Sequence, residues 1–264
     1  SEMCIRDRYG KDHKMTKIVI CGANGKMGQT IYRCIKERKD CKVIGGIDIN
    51  TQQYADFPIY SAVNELPEKP DAIIDYSHPS CLTPLLEYCM TTGTPVVLAT
   101  TGYSDEQIAE IKKTAAQIPV FFSWNMSLGI NLLVQLAKKA TAILGDQFDI
   151  EIIEKHHNQK IDAPSGTALM IANAINETRN DDMKYTYDRH SQRKKREPNE
   201  IGIHAVRGGT IVGVHEVLFA GNDETVTISH SAASKTVFAE GSINAAIFVK
   251  SQKPGLYDMG SIVG

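Results

Sequence analysis

The chain has 264 residues, 42% hydrophobic and 23% charged, with a formal net charge of -2. That length allows one large α/β domain or two smaller ones around a buried core, and the composition is that of a globular protein rather than a disordered one. The balanced charge gives no reason to expect a nucleic-acid partner, and no apolar run is long enough to cross a membrane. Residues 1–14 are polar, mixed in charge and without period, and Met15 stands directly before the first apolar run, so they are expected to be a leader outside the fold. The N-terminus lacks the apolar core and cleavage site of a secretory signal, which predicts a cytoplasmic protein.

Short apolar runs then alternate with amphipathic stretches. Strands are predicted at 17–21, 43–47, 72–75, 96–98 and 120–122, and helices at 27–38, 81–90 and 106–116. Continuous apolar strands separated by helical patterns indicate a doubly wound parallel sheet with helices on both faces. After Trp124 the rhythm changes to a helix over 130–144, a strand over 149–154 and a helix over 167–175. Alternating β-branched runs at 210–214, 216–219 and 225–229, with turns at Gly208-Gly209 and Gly221-Asn222, predict antiparallel strands. A final helix over 236–249 is placed to return over the first domain. The expected α/β architecture is therefore a doubly wound domain over 15–127 and 236–264, and an α+β domain with a mainly antiparallel sheet over 128–235. All six cysteines, Cys4, Cys21, Cys34, Cys41, Cys81 and Cys89, lie in the first third without a C-x-x-C pair. They are expected to be reduced and mostly buried, and no metal site is expected.

Three constellations could carry chemistry. Gly22, Ala23, Asn24, Gly25, Lys26, Met27 and Gly28 follow the first strand directly and open a helix. Glycines let a backbone turn tightly against a pyrophosphate, whose charge is met by helix N-terminal amides. Asp48 ends the next apolar run, where a carboxylate can accept hydrogen bonds from ribose hydroxyls. Strand, glycine turn, helix, strand and acid in that order indicate a Rossmann-type dinucleotide site. The second constellation is Ala99, Thr100 and Thr101 with Ser123, Trp124, Asn125 and Met126, at the ends of two further strands and so placed for the nicotinamide end; taken alone, the first is as readily a plain turn. The third runs from Glu154 to Ala168. His156, His157 and Lys160 offer proton donors and a cation, and the helix entry at Ser165-Gly166-Thr167 offers free amides for an anion, which suits a carboxylate substrate that must be protonated. The bland alternative is a solvated loop with Ser165 as a simple cap. The basic run Arg193-Lys194-Lys195-Arg196 is expected to be a solvated loop, not a nucleic-acid patch.

The stretch 151–168, EIIEKHHNQKIDAPSGTA, resembles the signature of the 4-hydroxy-tetrahydrodipicolinate reductase family. The similarity extends to GANGKMG, to ATTG, to Asn125-Met126-Ser127, to the run from Ile201 through Arg207-Gly208-Gly209 to Gly213 and His215, and to Gly255-Leu256-Tyr257. The resemblance implies a reductase of a cyclic dicarboxylate in diaminopimelate and lysine biosynthesis, with the active site between the domains. It implies that His156 is the acid/base residue, that Lys160 is the proton donor and charge partner, and that His157, Gly166 and Thr167 hold the substrate carboxylates. Gly22 to Met27, Asp48, Ala99 to Thr101 and Ser123 to Met126 would hold NADH or NADPH, and the family is usually a homotetramer. Many relatives have Arg in the glycine loop and a basic residue after the ribose-binding acid, where this chain has Lys26 and Ile49. NADH is therefore expected to serve at least as well as NADPH, although Lys26 and Lys42 offer charge for a phosphate. His78 stands where some relatives carry Arg. Two other readings stay open on the residues alone: a different dehydrogenase of similar fold, and a nucleotide-binding sensor without catalysis.

Overall fold

The structure, a computed structural model, describes residues 15–263; the expected leader 1–14, with Cys4, lies outside them. In chain order the helices and strands are β1 (Thr16–Cys21), α1 (Lys26–Lys36), β2 (Cys41–Ile47), β3 (Ile59–Tyr60), β4 (Ala72–Asp75), α2 (Leu82–Thr92), β5 (Val96–Leu98), α3 (Asp105–Ala115) and β6 (Pro119–Phe122). They continue with α4 (Leu128–Leu144), β7 (Asp149–His156), α5 (Gly166–Thr178), β8 (Lys184–Thr186), β9 (Glu200–Arg207), β10 (Gly213–Ala220), β11 (Thr225–Ala232), α6 (Thr236–Val249), β12 (Gly255–Tyr257) and α7 (Met259–Val263). The chain divides into two compact units, one of residues up to Met126 with Phe238–Ile262, the other Ser127–Val237.

The first unit is a parallel sheet in the order β3-β2-β1-β4-β5-β6-β12. Its strands are apolar on both faces because helices cover both. Ile18 and Ile20 of β1 point to the side of α1 and α6, where they join Ile31, Ile35, Ile243 and Val249. Val19 and Cys21 point to the other side, against Leu82 and Leu86 of α2 and Ile111 of α3. Helix α6 thus packs on this sheet, and a short α7 that was not expected follows it. Helix α3 starts where Ser104 accepts from the Gln107 N–H and the Gln107 side chain accepts from the Ser104 N–H, which satisfies two otherwise free donors. Strands β3, β8 and β12, of two or three residues each, were not expected, since so short a segment shows no alternation.

The second unit is a sheet in the order β11-β10-β7-β9-β8. Pairs β11-β10 and β10-β7 are antiparallel, as expected, although the runs 210–214 and 216–219 join in the single strand β10, whereas β7-β9 and β9-β8 are parallel, so the sheet is mixed. The chain leaves β7 through α5 before returning to β8, and a helical crossover brings the next strand back in the same direction. The Gly221-Asn222 turn closes the β10–β11 hairpin, with the Gly221 N–H donating to the Glu224 carbonyl at 3.0 Å. The Gly208-Gly209 turn closes no hairpin, because β7 lies between β9 and β10. One sheet face packs on α4 and α5 through Ile152, Ile203, Val217, Phe219, Leu133 and Ile171.

The basic run departs from the expectation of a solvated loop at Arg196. Its guanidinium reaches Asp149 at 2.7 Å and Glu151 at 3.0 Å and donates to the Ile150 and Glu200 carbonyls, while Lys194 pairs with Glu197 at 2.6 Å. Arg189 joins Glu151 as well and pairs with the Glu200 carboxylate, at 2.8 Å each. The charges tie the loop to the sheet, while Arg193, Lys194 and Lys195 keep the exposure the sequence suggested. Among the described residues the cysteines are unpaired, with Cys21, Cys41 and Cys89 buried, Cys34 half-buried and Cys81 exposed. No described helix is long and apolar enough to cross a membrane, and no cluster of three metal-ligating side chains occurs among the described residues.

Candidate functional site

In the first unit the strand order reverses between β1 and β4, which opens a crevice at their carboxyl ends. Gly22 leaves β1 with φ +77, and a Cβ there would collide with the Tyr76 carbonyl oxygen beyond β4, so the turn requires glycine. A Cβ at Gly28 would meet the Gly22 and Ala23 carbonyls, so α1 sits directly on the loop. No side chain caps α1 at Gly25, which leaves its N-terminal end to an incoming anion. Asp48 accepts from the Asn24 N–H at 2.9 Å and the Asn50 N–H at 3.0 Å, and its remaining lone pairs are open to further donors. A cavity of about 850 Å³ lies here, walled by Gly22, Gly25, Asp48, Asp75, His78 and Tyr88 among others.

Further along the same edge, Ala99, Thr100 and Thr101 follow β5, and Ser123, Trp124, Asn125 and Met126 follow β6. Asp75, buried at the end of β4, accepts from Thr100 Oγ1 at 2.8 Å, from the Tyr103 hydroxyl at 3.1 Å and from both the N–H and hydroxyl of Ser77. Burial pushes its carboxyl up, against the pull of these bonds. Ser123 donates to the Asn125 carbonyl at 2.9 Å, and Trp124 is 57% exposed with its ring edge-on to Phe122. Asn125 and Met126 are buried.

In the second unit, β7 alternates so that Ile150, Ile152, Glu154 and His156 share its buried face. The apolar register ends in two ionisable groups. His156 Nδ1 lies 2.6 Å from Glu154 Oε2, and Arg207, opposite His156 on β9, grips both Glu154 oxygens at 2.8 Å. The Ser165 N–H donates to Glu154 Oε1 at 3.0 Å, and Ser165 Oγ caps α5 by accepting from the Ala168 N–H at 3.1 Å. Burial pushes the Glu154 carboxyl up, but the bonds from Arg207, His156 and Ser165 outweigh that and hold it below the usual range. His215, opposite Glu154 on β10, is 4% exposed, and burial first and His156 second lower its pKa to about 4. Its Nε2 lies 3.0 Å from Ser165 Oγ.

His157, one residue past β7, is half-buried and leaves the face that His156 occupies. Lys160 pairs with Asp162 at 2.8 Å, and this bond holds the Asp162 carboxyl below its usual range. Gly166 opens α5 in free space, since a Cβ there would meet nothing within 4 Å, and half-buried Thr167 follows it. An ionised acid, an imidazole, an ammonium and a helix N-terminus thus stand along one strand-to-helix connection.

The N-terminal region of the dihydrodipicolinate reductases matches residues 16–126, and their C-terminal region matches residues 129–263. The chain belongs to the dihydrodipicolinate reductase family. The 4-hydroxy-tetrahydrodipicolinate reductase of Caldanaerobacter subterraneus subsp. tengcongensis is 50% identical over 94% of this chain and 98% of its own length. That of Clostridium tetani is 45% identical over 93% and 96%. A dipicolinate-bound dihydrodipicolinate reductase from Paenisporosarcina sp. TG-14 superposes with a TM-score of 0.77 at 26% identity, covering 93% of this chain and 98% of that one.

Within this member of the dihydrodipicolinate reductase family, four residues around the sites had been given no role from the sequence: Asp75, Glu154, Arg207 and His215. Glu154 had a usable signal, since an acid two residues before His156 in an alternating strand falls on the histidine's face. Arg207 and His215 stood in the sequence only as part of a stretch that resembles the family, without a role, because only the pairing register brings them to Glu154.

Proposed function

We propose that this chain reduces 4-hydroxy-tetrahydrodipicolinate to tetrahydrodipicolinate with NADH or NADPH, in the route to diaminopimelate and lysine. The observation that carries this reading is the buried Glu154–His156 pair ahead of the N-terminus of α5, within a chain whose residues 16–126 and 129–263 match the reductase family.

The first unit fits a dinucleotide: the Gly22 turn and Gly28 bring backbone close to a pyrophosphate, Asp48 offers acceptors for ribose hydroxyls, and the cavity beside them has room for a nucleoside. Ala99 to Thr101 and Ser123 to Met126 are assigned to the nicotinamide end. The nicotinamide, when bound, supplies the hydride. In the second unit, Gly166, Thr167 and His157 hold the substrate carboxylates, with the α5 N-terminal amides meeting their charge. Lys160 exchanges Asp162 for a carboxylate of the substrate and polarises the ring. His156 transfers the proton from Nε2, since Nδ1 is engaged by Glu154. The substrate loses water and gains one hydride and one proton.

Asp48 followed by the exposed Ile49 offers no adjacent cation, so NADH serves at least as well as NADPH. The chain works in the cytoplasm as a homotetramer, associated through the uncovered face of the second sheet. A coupled assay with the preceding synthase supplying substrate tests the reaction, with loss of reduced-nucleotide absorbance as readout. Substrate-dependent oxidation is expected with both nucleotides. No oxidation would refute the activity, and a kcat/KM for NADPH more than about tenfold above that for NADH would refute the cofactor reading.

A further inference from the structure

We propose that Glu154 is the positioning residue of the proton-transfer site: it determines which nitrogen of His156 exchanges the proton and spaces that ring from the first turn of α5. The proposal rests on the reading of His156 as proton donor. Glu154 is 0% exposed, yet its two oxygens serve three elements. Oε2 faces His156 Nδ1 at 2.6 Å within β7, Oε1 accepts from the Ser165 N–H at 3.0 Å ahead of α5, and both accept from Arg207 on β9 at 2.8 Å. An ionised carboxylate only accepts hydrogen bonds, so Nδ1 carries a hydrogen and the lone pair of the neutral ring sits on Nε2. The proton is then gained and given at Nε2.

Two neighbours keep this arrangement unambiguous. Arg207 compensates the buried charge with a bidentate grip, which keeps Glu154 ionised and therefore unable to donate. Gly213 leaves the other edge of the imidazole clear, since a Cβ there would stand 3.2 Å from Nε2. The tie to Ser165 extends the effect to the anion end of the site, because Ser165 caps the helix that Gly166 and Thr167 begin. His215 braces the same serine at 3.0 Å with its ring edge-on to His156, and burial keeps it uncharged beside the proton donor.

A salt bridge that merely stabilised the fold would leave the histidine tautomer and the turnover of a folded variant unchanged. Nitrogen-15 NMR of the full chain labelled in its histidine rings, at about pH 9 and so above the usual imidazole range, reads the tautomer, with His156→Gln identifying the resonance. The parent is expected to show the Nδ1–H form. Glu154→Gln puts an amide N–H in place of one oxygen; facing Ser165 and Arg207 it meets only donors, so it turns toward His156 Nδ1, and the variant should show a mixture or the Nε2–H form, with kcat lower by about 10- to 100-fold and KM for NADH unchanged. Arg207→Lys, which keeps Glu154 but loses the bidentate grip, should move both readouts the same way and serves if Glu154→Gln does not fold. An Nε2–H parent would overturn the proposal, as would a folded Glu154→Gln with kcat within about twofold of the parent or with the Nδ1–H form intact. If His156→Gln itself turned over normally, the proton-donor reading would fail instead, whatever the tautomer.

Discussion

Lys160 and His156 differ in how the protein holds them, and that difference predicts different kinetic defects. Lys160 is bound only to Asp162, whose side chain is 57% exposed, so it can change partner when a carboxylate arrives. Lys160→Met should keep the fold and lower kcat/KM about 10- to 100-fold, with a raised substrate KM, because a hydrogen bond to a charged group is worth roughly 1.5–3 kcal/mol. Retention of most of kcat/KM would make it a surface charge. His156 is buried and oriented, and His156→Gln should lower kcat by about 10² to 10⁴ with KM for NADH unchanged. A main defect in NADH binding would contradict that role. His215 sets a pH dependence of stability. Its folded pKa of about 4 lies below the ordinary 6.5, so between those values the unfolded chain binds a proton that the folded chain refuses. Stability is therefore full above about pH 6.5 and falls as pH drops toward 4, by about 3 kcal/mol for this group. His230, lowered by burial, adds in the same direction, while Glu154, held below the usual range, adds its loss only below about pH 4.5. Urea denaturation of His215→Asn from pH 7 to pH 4.5 should show a shallower slope than the parent, and equal slopes would remove His215 as the cause.

At the scale of elements, the β1–α1 connection depends on glycine at its first residue. Gly22→Ala places a side chain at φ +77 and against the Tyr76 carbonyl, at a cost of about 1–3 kcal/mol. The melting temperature should fall and NADH should bind at least about tenfold more weakly, followed by the fluorescence of Trp124, the sole tryptophan of the chain. Unchanged affinity would detach this loop from the cofactor. The helices and longer strands of the first unit were legible because each repeats its pattern over several residues: 236–249 was read as a helix to its observed ends. β7 was read two residues short, since its last positions, Lys155 and His156, break the apolar run while keeping the alternation. The parallel direction of β9 was not legible, because strand direction depends on what crosses between strands rather than on the residues within them.

At the scale of the molecule, the second sheet has an uncovered face on which Ile153, Val214 and Leu218 are half-buried, opposite the face that α4 and α5 close. Apolar residues on an open sheet face gain by burial against a partner of the same kind. Light scattering should report a tetramer, and Leu218→Glu should shift it to smaller species while NADH binding in the first unit persists; a monomeric parent would end this reading. The sequence by itself determined the order of the helices α1–α6 and of the longer strands of the first unit, and the positions of the glycine turn with its acid and of the histidine–lysine loop, because periodicity, turn chemistry and motif spacing are local properties of the chain. Only the tertiary structure decided that Arg207 from β9, His215 from β10 and the Ser165 N–H converge on Glu154, since strand register joins residues about fifty positions apart. It likewise decided that Arg196 of the basic run is bound by acids on the uncovered face of β7 and by backbone carbonyls, because charge in a sequence carries no record of the partners that folding supplies.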